Sequence, residues 1–106
     1  MESGCNSIKT EVGTAHLLGV IPYTNVTSVI DLNDLQTGLY HVAITSVANG
    51  LVNAPSNNNG EAWFASFLVA SNVVLQFFFK SNTCELYYRN KRTTWNNWYK
   101  IPGTAV

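Results

Sequence analysis

The stretch EAWFASFLVASNVVLQFFFK, residues 61–80, decides the fold. In its first half, Trp63, Ala65, Phe67 and Val69 alternate with Phe64, Ser66 and Leu68. That period of two is a strand's, and apolar residues in both sets suit a strand covered on both sides. Its second half, beginning at Asn72 and closing on Lys80, has the same character. Only Ser71-Asn72 separates the halves, which predicts a tight hairpin, because Asn tolerates the positive φ of two-residue turns. Beyond Lys80 the polar SNT turns the chain into CELYYRN, residues 84–90, with Leu86 and Tyr88 on one face and Glu85, Tyr87 and Arg89 on the other. A further hairpin through KRTT leads to TWNNWYKI. Three consecutive hairpins make a meander, and three or more strands with an apolar face can stand alone.

Upstream the pattern is less regular. LYHVAITSVA, residues 39–48, alternates Tyr40, Val42 and Ile44 with His41, Ala43 and Thr45 and reads as a strand. Before it, a helical turn is expected between Asp31 and Leu35, with Gly38 as a stop signal. NGLVNAPSNNNGE, residues 49–61, is turn chemistry for a long loop. The expectation is therefore an all-β domain, mainly antiparallel, a small sandwich or meander, with one short helical turn. Residues 1–19 show no sustained period and read as a linker or inter-chain segment, leaving residues 20–106 as a single β-rich domain.

Composition narrows the function. A chain of 106 residues has room for one ordinary core. Charged residues make up 11%, against roughly 25% in ordinary soluble domains, so much of the surface is amide, hydroxyl or backbone, or is covered by another chain. Oligomerisation follows as an expectation. The formal net charge is zero, which removes the long-range field on which nucleic-acid and membrane-surface binders depend. No apolar run approaches the ~20 residues that span a bilayer, and the N-terminus lacks the regions of an export signal, so synthesis in the cytoplasm is expected. Cys5 and Cys84 cannot supply the paired close ligands of a zinc site. Structural disulfides are rare in cytosolic products, so the default reading is Cys84 buried on its strand and Cys5 solvated, with a Cys5–Cys84 disulfide as the alternative.

Catalytic signals are thin. Six carboxylates lie scattered, none spaced to argue for an acid and base pair across a cleft. His16 and His41 accompany no nucleophile or zinc motif, His41 reads as a surface residue, and no phosphate-cradling loop is present. No cofactor, metal or catalytic residue is expected. What stands out is LYYRNKRTTWNNWYKI, residues 86–101, which packs five aromatic rings and four of the six basic residues into sixteen positions. A nucleic-acid grip would combine stacking with phosphate contacts, but the zero net charge opposes it. A glycan platform would stack sugars on the rings and bond hydroxyls to the polar groups. The plainest alternative is that the rings pack a small sheet and keep their polar tips wet.

DLNDLQTGLYHV, VNAPSNNNGEAWFASFLV, VVLQFFF, LYYRN and TWNNWYKI follow one another over residues 30–102. In that order they resemble the knob-type domains of phage tail fibres and R-type pyocin fibres, which carry a D-L-N-x-L phrase, G-x-Y, N-x-P, V-x-Q, Y-x-R and a closing W-x-x-W-x-K-[IV]. The chain departs from the pattern at Glu61-Ala62-Trp63, where a Gly-Tyr phrase is expected. The resemblance implies a β-rich domain in a homotrimeric fibre, on a virion tail or phage-tail-like particle, whose surface recognises a bacterial cell-surface glycan. It fixes framework more than binding residues, with Asp31, Asn53, Pro55, Arg89, Trp95 and Trp98 read as framework first. Tyr87, Arg89, Trp95, Trp98 and Tyr99 are the candidate ligand-binding residues. A structural assembly domain and a polysaccharide depolymerase remain as alternatives.

Overall fold

The computed structural model describes residues 21–56 and 60–106. The segment 1–19, Cys5 and His16 lie outside the described residues. Six strands form one sheet in chain order: β1 (Thr24–Asn25), β2 (Gly38–Val42), β3 (Ala62–Ala70), β4 (Val73–Lys80), β5 (Glu85–Lys91) and β6 (Tyr99–Ile101). The pairing is antiparallel from β2 to β6, and β1 runs parallel to β2. This is the expected all-β meander, as one sheet rather than a two-sheet sandwich.

The β3–β4 hairpin turns through Ser71 and Asn72, as expected, with Ala70 paired to Val73. Its conformation differs. Among the described residues, Asn53 and Cys84 are the non-glycine residues with positive φ, at 61° and 59°, and the irregularity that fits the hairpin is a bulge between Leu68 and Ala70. Cys84 is a correction too. It lies in the 81–84 turn, not on a strand, and its thiol is free and exposed. The turn closes with the Cys84 N–H donating to the Lys80 carbonyl at 2.8 Å, which needs a left-handed residue at that point.

The strand expected over residues 39–48 ends at Val42, and α1 (Thr45–Gly50) follows. Ile44, Thr45 and Val47 carry the β-propensity that suggested a strand, but propensity is a weak prior against burial. As a helix, the segment drives Val47 and Ala48 into the core, followed by Leu51 just beyond it. The helical turn expected near Asp31 is a 3₁₀ turn, Leu32–Asp34. Asp31 caps it by accepting from the Asn33 N–H at 2.8 Å.

These pieces cover one face of the sheet. On that closed face Tyr40, Phe64, Phe78 and Tyr87 lie in one row across β2 to β5. Phe64 and Phe78 stack at 5.4 Å, Tyr40 stacks on Phe64 at 5.5 Å, and Trp98 meets Phe78 edge-on at 6.1 Å. Leu32, Val26, Val47, Ala48 and Leu51 close over them. Burying aromatics of this size is the main stabilising term of so small a domain. Across β3, the closed-face residues Ala62, Phe64 and Ser66 are buried, whereas on the other face Trp63 and Ala65 are half-buried and Phe67 is exposed. The expectation of cover on both sides therefore fails within the single chain.

Candidate functional site

Beside the aromatic row runs a polar one. Ser66, Gln76 and Arg89 are register partners on β3, β4 and β5, and all three are buried. Buried polar groups are costly unless bonded, and these are bonded in series. Gln76 Nε2 donates to the Leu32 carbonyl at 2.6 Å and to Ser66 Oγ at 3.2 Å. Arg89 Nε donates to Gln76 Oε1 and its Nη2 to Asn33 Oδ1, both at 2.9 Å. The strands are thereby locked to the 3₁₀ turn.

The chain of bonds continues outward. Asn53 Nδ2 donates to Asp31 Oδ1 at 2.8 Å, while the Asn53 carbonyl accepts from Trp98 Nε1 at 2.8 Å. Asn53 can do both because it sits in the left-handed region, which Asn tolerates better than most residues. The bond from Asn53, and then that from the Asn33 N–H, hold the Asp31 carboxyl below its ordinary range.

Arg89 is clamped between two indoles, its guanidinium carbon 3.9 Å from the Trp95 ring centre and 4.6 Å from that of Trp98. Burial pushes its pKa down to about 10, opposed by the charge of Asp31. It therefore stays a cation at neutral pH, held by rings and amides more than by a counter-ion. The segment 92–98 is a loop, not the long last strand expected from TWNNWYKI; β6 is only Tyr99–Ile101. A bridge between Lys91 and Trp95 and a bond from the Asn96 N–H to the Asn90 carbonyl at 2.9 Å fix the loop. Asn96 Nδ2 also donates to Asn90 Oδ1.

Asn53, Ala54, Arg89, Trp95, Asn96, Asn97 and Trp98 line a shallow hollow of about 270 Å³. Trp95 is half-buried and Asn97 exposed at its rim. An indole, amides that donate and accept, and a guanidinium are the groups that a polyhydroxylated ring can use. Asn96 and Asn97 belong to this hollow although the sequence reading passed over them; their position between two tryptophans was the available signal.

The five candidates do not share one surface. Arg89, Trp95 and Trp98 meet here. Tyr87 lies on the same closed face but is turned to Glu85, donating to Oε1 at 3.0 Å. Burial and then that bond raise the Tyr87 phenol's pKa, while the bonds from Tyr87 and Thr83 are the main causes holding Glu85 low. Tyr99 points to the other face, where it stacks with Tyr88 at 5.8 Å. Trp98 and Tyr99 are adjacent, and neighbours in extended chain face opposite ways. His41, expected as a surface residue, is mostly covered: it stacks on Trp63 at 4.0 Å, and its Nε2 lies 2.7 Å from Glu61 Oε2. Among the described residues no three His, Cys, Asp or Glu side chains gather as a metal site would require, and no helix is long and apolar enough to cross a membrane.

No protein-family model and no curated protein sequence matches the chain. Solved structures do. An N-truncated R2-type pyocin tail fibre superposes with a TM-score of 0.68 at 17% identity, over 76% of this chain and 32% of the fibre. The C-terminal part of the Pseudomonas aeruginosa R2 pyocin fibre gives 0.67 at 17% identity, over 76% and 22%. That of the R1 fibre gives 0.67 at 14% identity, over 89% and 24%. The chain thus has the fold of a pyocin-fibre domain, as its motifs implied, and spans about a quarter to a third of the fibre chains it matches.

Proposed function

We propose that this chain is the receptor-binding module of a phage or phage-derived tail fibre, which holds a bacterial surface carbohydrate without cleaving it. The observation that carries the reading is the shared fold with the C-terminal portions of pyocin fibres. The hollow at Trp95, Asn96 and Asn97 supports it with suitable chemistry. In this reading the module is made in the bacterial cytoplasm and works as a homotrimer on a tail or tail-like particle. Three weak sugar sites then act together through effective concentration.

A second reading has one observation in its favour. Arg89 and Trp98 are engaged in holding the fold, as a purely structural fibre domain would have them. The two readings separate on intact bacteria. Fluorescently labelled chain should bind some strains of a panel saturably, with competition by their own surface polysaccharide, and Trp95→Ala should reduce that binding while leaving the far-UV spectrum unchanged. No binding to any strain by folded chain would favour the structural reading, and release of reducing ends from the polysaccharide would favour a depolymerase.

A further inference from the structure

The sheet has a second face that the described chain covers only at its β2 end, where Tyr23 packs edge-on against His41 and Trp63. One row, Leu39, Ala65, Phe77, Tyr88 and Tyr99, crosses β2 to β6 in register. The neighbouring row runs from His41 through Trp63, Phe79 and Leu86 to Ile101. The charges of the sheet avoid this face. Lys80, Glu85, Arg89, Lys91 and Lys100 are the charged residues of the six strands, and their alternation and register place all five on the closed side. A strand exposed to water on its second face ordinarily puts its polar residues there. Here the polarity is inverted.

Phe67, Phe77, Tyr88, Tyr99 and Ile101 are 41%, 38%, 43%, 54% and 43% exposed. For side chains of ~150–250 Å² each, such fractions leave roughly 330–550 Å² of mostly apolar surface on these five residues alone, before their half-buried neighbours are added. Patches of that size on a monomer are commonly functional, and a stable interface needs about 800 Å² per partner. The face also carries its own recess. A hollow of about 270 Å³ lies between Leu75, Phe77, Tyr88 and Tyr99, with Arg89 and Asn90 as its polar lining, so one surface offers both protruding rings and a place to receive one. A sugar would find few polar groups to bond there, whereas an equally apolar surface would match it.

We propose that this open face is the contact between copies of this chain, so that a second copy covers Phe77, Tyr88 and Tyr99 and the hollow at residues 95–98 is left outward. The number of copies, three, rests on the fibre reading above; the choice of face does not. Burial of these rings between copies would also account for a chain with so few charges.

The test uses the full chain in three forms: unsubstituted, Phe77→Lys and Ile101→Lys. Solution mass is measured by sedimentation, folding by far-UV circular dichroism, and Tyr88 and Tyr99 are probed by tetranitromethane nitration with peptide mapping. The proposal expects the unsubstituted chain to sediment as three chains with Tyr88 and Tyr99 escaping nitration. Each lysine variant should fall to one-third of that mass, keep its β spectrum and lose the protection. An unsubstituted chain that sediments as a monomer overturns both this assignment and the trimer. A trimer in which Tyr88 and Tyr99 nitrate freely, or which survives both substitutions, overturns the face alone and leaves the fibre reading standing. The nitration arm needs no variant, so it decides even where a lysine prevents folding.

Discussion

Phe77 and Phe78 are neighbours on β4 and are chemically identical, yet Phe78 is 0% exposed and Phe77 38%. The difference belongs to the two faces. On the closed side, Phe78 is sandwiched between Phe64 and Trp98 beneath the 3₁₀ turn and α1. On the open side, Phe77 meets Phe67 edge-on at 6.3 Å, and no element of the described chain passes over it. Both faces carry rows of aromatic rings, so aromatic content does not separate them; what does is the buried series Ser66–Gln76–Arg89, which ties the covering turn to one side only.

The sharpest way to break this comparison is to truncate the two rings in turn. Phe78→Ala should cost about 3–5 kcal/mol of unfolding free energy, the range for a fully buried ring that leaves a cavity. Phe77→Ala should cost less than about 1 kcal/mol when the isolated chain is unfolded in urea at low concentration, because much of its surface is already wet. Equal costs would mean that the open face is covered by the chain itself.

The next largest effect falls on the polar series. Arg89→Ala removes the donor shared by Gln76 and Asn33 and leaves both amide oxygens without their guanidinium. The expected loss is about 3 kcal/mol by chemical denaturation, as for other broken buried networks. Arg89→Lys should recover little of it, since an ammonium cannot reproduce the planar fork or its stacking between the indoles. Full recovery would show that charge alone matters at this site.

A smaller effect isolates the hinge of the hollow. Asn53→Ala loses the bond to Asp31 and places an ordinary side chain at φ 61°, for an expected cost of about 1–2 kcal/mol. Asn53→Gly should cost less, because glycine accepts that backbone while still losing the bond. Thermal denaturation of the pair separates the two contributions.

The smallest expected effect is on acid stability. Asp31 and Glu85 have folded pKa values below those of unfolded chain, so each contributes stability that is present above the unfolded range, about 3.9 to 4.3. As pH falls through the lower folded values, protonation removes it. Stability measured between pH 5 and 2 should therefore decline towards acid, and Asp31→Asn should flatten part of that decline. An unchanged slope in Asp31→Asn would mean that the cap is not what senses acid.

Much of the sheet could be read from the chain. Residues 61–91 state their strands through a period of two and their hairpins through Ser71-Asn72 and the polar residues after Lys80. Two expectations fail for different reasons, burial in the first case and turn geometry in the second. Ile44, Thr45 and Val47 look like strand but form α1, where Val47 and Ala48 reach the core. Cys84 looks like a buried strand residue but occupies the left-handed position of a turn. The meeting of Arg89, Trp95 and Trp98 was legible as a cluster, whereas the placement of Tyr99 required the parity of adjacent residues to be followed through. Which face the chain covers was not legible, since both sets of β3 are apolar. That choice is made by long-range bonds from Gln76 and Arg89 to the 3₁₀ turn.

The central claim is that the two faces do different work, with ligand held at residues 95–98 on one side and copies joined on the other. Its most direct test pairs one substitution from each face, Trp95→Ala and Phe77→Lys, and measures solution mass and retention on receptive bacteria for each. The account predicts that Trp95→Ala keeps the mass of the unsubstituted chain and loses retention, whereas Phe77→Lys falls to a single chain and is retained weakly through one site. Full retention of Trp95→Ala, at unchanged mass, would contradict it.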